Sequence, residues 1–342
     1  MNKAFLFTLV AGFGTLHNFG QNRNQLGNFI SVNGFVNGQS KLRSNDSLLN
    51  NSAYRFDYRQ AGISYKHNLF SKFNLIDNNL TFSQVSIIPG LQLAHADFGK
   101  DQFTRNFINL SLGLLGIFHT SPKNTFIGMA IAMANEDEYT LPNAYLRYAG
   151  AFVYSRKVNP KFCYRAGIAL SYVFGDPRVL PLLGARWQIN KKSILNFTLP
   201  LNINYKHSTK YQNLFYGFSS RSFGGYNRFQ NKLNIDTINR VLVMRRRSFQ
   251  ISTDLKYIGN KCSIIGQLGI NANQNIRFTE EDNNNLVNNF EFNGTNTLFA
   301  RISFIIPVGH VKQRKNKDNK LESVDSEDPA INDEINDSWL DF

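Results

Sequence analysis

Seven arginines of this chain are spaced so that they aim at one place. Arg55, Arg59, Arg147, Arg165, Arg186, Arg246 and Arg301 fall on one parity of runs in which every second residue is apolar. Asp57, Gln84, Gln92, Lys206, Asp254 and Lys256 share that parity. Side chains change face at every residue of a strand, so these groups lie together on the face opposite the apolar one. Two chemistries suit such a set. Rings of guanidinium groups lower the barrier for negative solutes, which gives a pore biased toward anions and a preference for chloride over potassium. Alternatively, the arginines pair with Asp57, Asp254, tyrosine hydroxyls and water, and fill a narrow, closed interior. Residue types alone leave both readings open.

Arg240 and the run Arg245-Arg246-Arg247 need a separate account, because alternation cannot turn three consecutive arginines to one side. Arg240, Arg245 and Arg247 are expected at an outer rim. There they would contact lipopolysaccharide phosphates through charge-assisted bonds, or stand as a solvated loop base. The segment 207–243 is rich in aromatics and glycine, with Tyr211, Phe215, Tyr216, Phe218, Phe223, Tyr226 and Phe229 beside Gly217 and Gly224-Gly225. It reads as a long loop that folds inward as a constriction, caps the outside, stacks on sugars, or packs on itself. No Gly-Lys-Ser/Thr follows its glycines, so it is not a phosphate loop.

Other chemistry is poorly supplied. The six histidines form no HxH or ExxH pattern, so no metal and no cofactor is expected. His207 and Ser208 are neighbours in sequence and would face opposite sides of a strand. His95 and Asp97 share a face, which is a weak acid–histidine signal. No hydrolase motif surrounds either, and no catalytic residue is assigned. Net charge is +14, yet no nucleic-acid motif accompanies it.

The elements that must position these side chains are strands. Segment 194–206, ILNFTLPLNINYK, alternates nearly without error. Runs of this kind recur at about 10 to 14 residues, the length of a tilted strand crossing a bilayer. Twelve are counted, near 27–36, 53–68, 80–93, 103–118, 124–134, 144–156, 162–174, 178–189, 193–206, 244–257, 261–272 and 297–309, with 210–221 as a further candidate. Short turn signals at 121–124, 158–161, 190–192 and 259–261 alternate with longer polar connections at 37–52, 94–102, 135–143, 207–243 and 273–296. Short turns at one end and long loops at the other are the asymmetry of Gram-negative outer-membrane barrels, with the turns periplasmic. On 162–174 one parity carries aromatics at both ends and aliphatics between, and Tyr164 to Tyr172 spans roughly 20 Å along the membrane normal. The expectation is an all-β, antiparallel, up-and-down transmembrane barrel of about twelve strands. A soluble sandwich or lipocalin-like barrel would turn its apolar face inward on shorter strands. Pro89 and Pro200 lie mid-strand in this reading, where a missing donor requires a bulge.

The ends read differently. Residues 1–20 resemble an export signal, with Lys3, an apolar core at 4–16 and Gly20 before Gln21. Cys163 is expected to face the lumen and Cys262 the lipid, unpaired. Residues 310–342 form a basic and then acidic tail, with eight acids and no Lys or Arg after position 320. That composition suits a disordered periplasmic segment. It could plug a basic lumen or recruit a periplasmic partner through Trp339–Phe342. Other expected partners are outer-membrane lipid, lipopolysaccharide and the barrel insertion machinery, which would read an internal signal near 299–304 or the terminal aromatics. A closed barrel that binds an envelope partner or surface glycan through tail or loops is the alternative to a pore.

Segment 176–207 carries a further pattern: Pro177, Pro181, Leu183-Gly184, Arg186-Trp187, Ile189-Asn190, a lysine turn, Leu199-Pro200 and Asn204-Tyr205. This resembles the closing half of an uncharacterised family of bacterial outer-membrane proteins, domain of unknown function 6268. The resemblance covers 25–309 and implies an outer-membrane barrel. It brings no catalytic or binding residues.

Overall fold

The computed structural model describes residues 27–44, 55–76, 79–99, 104–171, 177–211, 213–231, 240–259, 261–282 and 285–308. The expected export signal and tail lie outside the described residues. Among these residues there are fifteen strands. Those of the first half are β1 (Asn28–Ser44), β2 (Arg55–Ile76), β3 (Asn79–Asp97), β4 (Thr104–Ser121), β5 (Asn124–Asp137), β6 (Arg147–Asn159) and β7 (Phe162–Ser171). They are followed by β8 (Arg178–Asn190), β9 (Ser193–Leu199), β10 (Asn202–Ser208) and β11 (Leu214–Asn231). The chain closes with β12 (Arg240–Ile258), β13 (Ser263–Asp282), β14 (Asn285–Gly294) and β15 (Thr297–Val308). From β1 to β14 each pairs antiparallel with the next, and β15 pairs with β13 and returns to β1 with Phe35 opposite Arg301. The ring has fourteen strand positions, because β14 and β15 follow one another in the same place between β13 and β1, β14 against their outer ends and β15 against the rest.

The tight turns are fixed by short side chains. Ser121 Oγ accepts the N–H groups of Lys123 and Asn124, at 3.3 and 3.1 Å. Asn159 Oδ1 accepts from Lys161 N–H at 2.9 Å, and Asn190 Oδ1 from Lys192 N–H at 2.8 Å. Such Asx and Ser turns reverse the chain in few residues. They share one end of the barrel with the start of β1 and the end of β15, the periplasmic end by the asymmetry of outer-membrane barrels.

Segment 193–206 is not one strand. It is a hairpin, β9–β10, with Thr198 opposite Asn202 and the Leu201 N–H donating to the Thr198 carbonyl at 2.8 Å. Pro200 sits in the turn, where no ladder donor is required. Pro89 is handled differently: β2 and β3 pair at Ser64–Gly90 and resume at His67–Ile87, skipping the rungs between. The expected loop 207–243 contains β11, and the expected loop 273–296 contains the end of β13 and all of β14. The ring therefore has two more strands than the twelve counted.

A belt of outward side chains is apolar and exposed. Leu91, Leu112, Phe152, Ile168, Leu183 and Leu268 are between 40% and 67% exposed. Water would penalise that surface by about 25 cal/mol per Å², so hydrocarbon is its proper solvent. No described helix is long and apolar enough to cross a membrane; the crossing is made by strands.

Above this belt the pattern inverts. Phe35, Phe56, Phe98, Phe107, Phe229 and Phe278 form one buried inward cluster. On the outside at the same level His95 bonds Asn106 at 2.8 Å, and Arg277 meets Glu291 at 3.3 Å. There the barrel stands in water and is built like a soluble barrel, apolar inside and polar outside.

Candidate functional site

Inside the ring three layers follow one another. The lowest is apolar: Phe29, Leu115, Ile117, Ile127, Ile265 and Ile305 belong to one buried cluster. Lys66 is 2% exposed and holds its ammonium 5.5 Å from the Phe29 ring centroid. The uppermost layer is the aromatic cluster, whose members meet across the lumen, as Phe98 and Phe278 do at 5.2 Å and Phe107 and Phe229 at 6.0 Å. Between them lies a cavity of about 210 Å³.

The upper half of β11 shapes this cavity. Its lower half, up to Ser222, belongs to the wall and pairs with β10. Beyond Ser222 it leaves β10, crosses the lumen and meets β5 in parallel, with Arg228 opposite Glu136. Asn135 Nδ2 donates to the Tyr226 carbonyl at 2.8 Å, and Gln230 N–H donates to Asp137 Oδ2 at 3.2 Å. Arg228 reaches Glu136 at 3.7 Å. Glu136 is wholly buried at this junction, above the apolar belt, and burial pushes its carboxyl above the usual range. Tyr145 N–H, Thr140, Arg147 and Arg228 offset part of that rise. Of the aromatics in this segment, Phe223 and Phe229 turn inward and Tyr226 reaches Arg147, while Tyr216 and Phe218 remain exposed. Folding inward as a constriction is the arrangement seen.

Three guanidiniums line the cavity, each on an aromatic face. Arg147 lies 3.3 Å from the Tyr226 centroid. Arg246 lies 3.4 Å from Tyr58 and 5.0 Å from Phe223. Arg301 lies 5.2 Å from Phe35. Asn33, Gln60, Gln92 and Asn109 supply amides, and no Asp or Glu is among the lining residues. Desolvated cation–π contacts are worth about 2 kcal/mol each and offset part of the cost of burying three cations near one another.

The remaining arginines divide. Arg165 and Arg186 are buried on the inner face of β7 and β8, and Asp254 accepts from Ser219, Ser252 and Gln267 inside β12. Gln84 is buried against Asn68 and Ser86. Arg55, Asp57 and Arg59 do not face the lumen. Phe56 and Tyr58 take the inner face there, Arg55 is exposed, and Arg59 meets Asp57 at 2.6 Å on the outside. The cause is the inverted polarity above the belt. Arg245 and Arg247 flank inward Arg246 on β12, with Arg247 exposed. Arg240 begins that strand. Cys163 is buried beside Ser155, and neither cysteine is bridged.

His95 and Asp97 do not come together: His95 bonds Asn106, and Asp97 accepts from Gly99 N–H. A pairing that the sequence concealed is His207 Nδ1 with Ser193 Oγ, 2.8 Å apart across the β9–β10 hairpin. Ser193 is 2% exposed and also accepts from the Tyr205 hydroxyl, so it is a buried structural link. Among the described residues no group of three or more His, Cys, Asp or Glu could hold a metal ion.

Residues 23–305 match the family described as domain of unknown function 6268. The chain belongs to this family. No curated protein matches the sequence. Among solved structures, the chain is similar to the P. putida toluene transporter TodX at 10% identity, over 88% of this chain and 100% of that one, with a TM-score of 0.41. It is also similar to Pseudomonas aeruginosa OccK7 (OpdD) at 6% identity, over 83% and 100% of the two chains, with a TM-score of 0.31. Likeness of that size says nothing about a solute for this family member.

Proposed function

We propose that this barrel is a gated outer-membrane conduit for small organic anions with an apolar body, which pause in the central cavity. One observation carries the reading: three buried arginines line one cavity together with aromatic rings, amides and aliphatic side chains, and no Asp or Glu is among its described lining residues. An anion entering the cavity gains charge-assisted bonds to guanidiniums that are already desolvated and held in place, so little ordering of the site is needed. The outward apolar belt and the periplasmic tight turns support placement in the outer membrane. Arg245 and Arg247, on β12 above the belt, suit contact with lipopolysaccharide phosphates.

The lumen is closed by its two apolar layers, so conduction requires movement of the crossing half of β11 above the cavity and of the lower apolar layer beneath it. In planar bilayers the protein is expected to give small, intermittent currents that favour chloride over potassium and that benzenesulfonate blocks. Preference for potassium would overturn the proposal. A closed structural barrel is the second reading, and the apolar layers favour it. It predicts neither current nor benzenesulfonate binding.

A further inference from the structure

The wall of the barrel is not of even height. Its last rung between β8 and β9 is Leu183–Leu199, and the hairpin turns at Pro200 and Leu201. Residues 178–182 of β8 continue upward, paired with β7 alone. On the far side, β11 beyond Ser222 has left the wall for β5. Among the described residues no strand spans the interval between the β8 edge and β11 above the hairpin tip. The rim of this notch is greasy on its outer face, with Val179, Leu183 and Leu199 at 65%, 63% and 49% exposed. Val179 stands opposite Leu170, within the apolar belt and on the side away from the periplasmic turns. The notch therefore opens on the outer leaflet.

Its inner side leads to the cavity. Met129 lines the cavity and is paired with Ala151, Ala151 with Ala169, and Ala169 with Leu180 at the free edge of β8. These four make one row across four strands, all apolar and two of them alanine. Leu182 and Leu201, 1% and 6% exposed, close its end in this structure. The other cavity walls mix Ile63, Ile88, Ile131 and Met133 with the amides of Asn33, Gln60, Gln92 and Asn109. An apolar track runs from the arginines to hydrocarbon in this direction.

We infer that the notch is a lateral passage through which a single-chain anionic amphiphile moves between the central cavity and the outer leaflet, with Leu182 and Leu201 as its door. The inference rests on the proposed cavity function. The anionic head stays near Arg147 while the alkyl chain lies along the alanine row. Axial passage would drag that chain past the amides and the aromatic cluster.

The test uses the full mature chain in liposomes that contain an alkyl sulfonate bearing a diazirine on its chain. After illumination, labelled positions are mapped by mass spectrometry. Wild type is expected to carry label at Ala149, Ala151 and Ala169 as well as at the outer Leu183 and Leu199. Ala169→Trp fills the row. It is expected to lose at least five-fold of the label at Ala149 and keep that at Leu183. Heat-modifiable gel migration checks that the variant is folded. Should it misfold, Leu182→Ala serves in the opposite sense, with inner-wall label expected to rise two-fold or more. Inner-wall labelling that is absent in wild type, or unchanged by both substitutions, overturns the passage. Binding of aqueous benzenesulfonate, followed by calorimetry, tests the cavity by itself. Its loss with inner-wall labelling retained refutes the proposed function and leaves the passage standing.

Discussion

The guanidinium carbon of Arg147 on β6 sits 3.3 Å from the ring centroid of Tyr226 on β11. This contact ties the crossing strand to the wall that it passes, and Arg147 is 2% exposed. Tyr145 covers the same guanidinium at 5.7 Å.

Removing that tie should favour the open conduit. Tyr226→Ala forfeits a desolvated cation–π contact of about 2 kcal/mol. Open probability in single-channel recording is then expected to rise about thirtyfold, since about 1.4 kcal/mol is a factor of ten. Unchanged gating would show that β11 is fixed by its other bonds.

Acidity should act on the same junction through Glu136. Burial raises its carboxyl, so the folded protein holds the proton more tightly than the unfolded chain. The stability this contributes is fully present below the ordinary carboxylate value of about 4.3. It is lost as pH rises through the raised value. Acidification across that window is expected to close the conduit, and Glu136→Gln should hold it closed independently of pH. Current recorded against pH for both proteins decides this.

Arg301 and Arg59 are expected to part company. Arg301→Met removes one of the three cavity cations and should weaken benzenesulfonate binding about tenfold, as loss of a charge-assisted contact does. Arg59→Met breaks an outer pair with Asp57, in which only the arginine is exposed, away from the cavity, and should leave binding unaltered. Calorimetry on the two variants provides the comparison.

Two substitutions test the packing. Lys66→Met keeps the stem and removes a buried ammonium, so stability should rise by about 1–2 kcal/mol. Gly184 lies where β8 approaches β9, and an added Cβ would run into the Phe197 carbonyl. Gly184→Ala should cost about 1–3 kcal/mol as overpacking does. Thermal midpoints in detergent would move in opposite directions.

Much of the architecture was legible because a bilayer imposes a strict rule on the residues within it. Phe162, Tyr164 and Ile168 follow that rule, and so β7 begins where its alternation begins. The same rule misled outside the bilayer. Arg55, Asp57 and Arg59 alternate as cleanly as any lumen set, yet water surrounds that part of β2 and the apolar residues turn in. Alternation was also blind to the turn at Pro200. A hairpin of even register keeps the same parity on both arms, so 193–206 looks continuous although it doubles back. The arginines of the cavity were visible singly. Their aromatic seats were not, because Tyr58, Phe223 and Tyr226 come from β2 and β11 and meet only once β11 leaves the wall.

The level at which phenylalanines exchange sides works as a draught mark on a hull. Below it the outside must be oil, and above it the outside must be water. Sinking the barrel would bring Arg59 and Asp57 to hydrocarbon, and lifting it would strand Leu91 and Leu112 in solvent. Immersion depth is thus written into the chain, and a thicker or thinner lipid phase must deform to meet it.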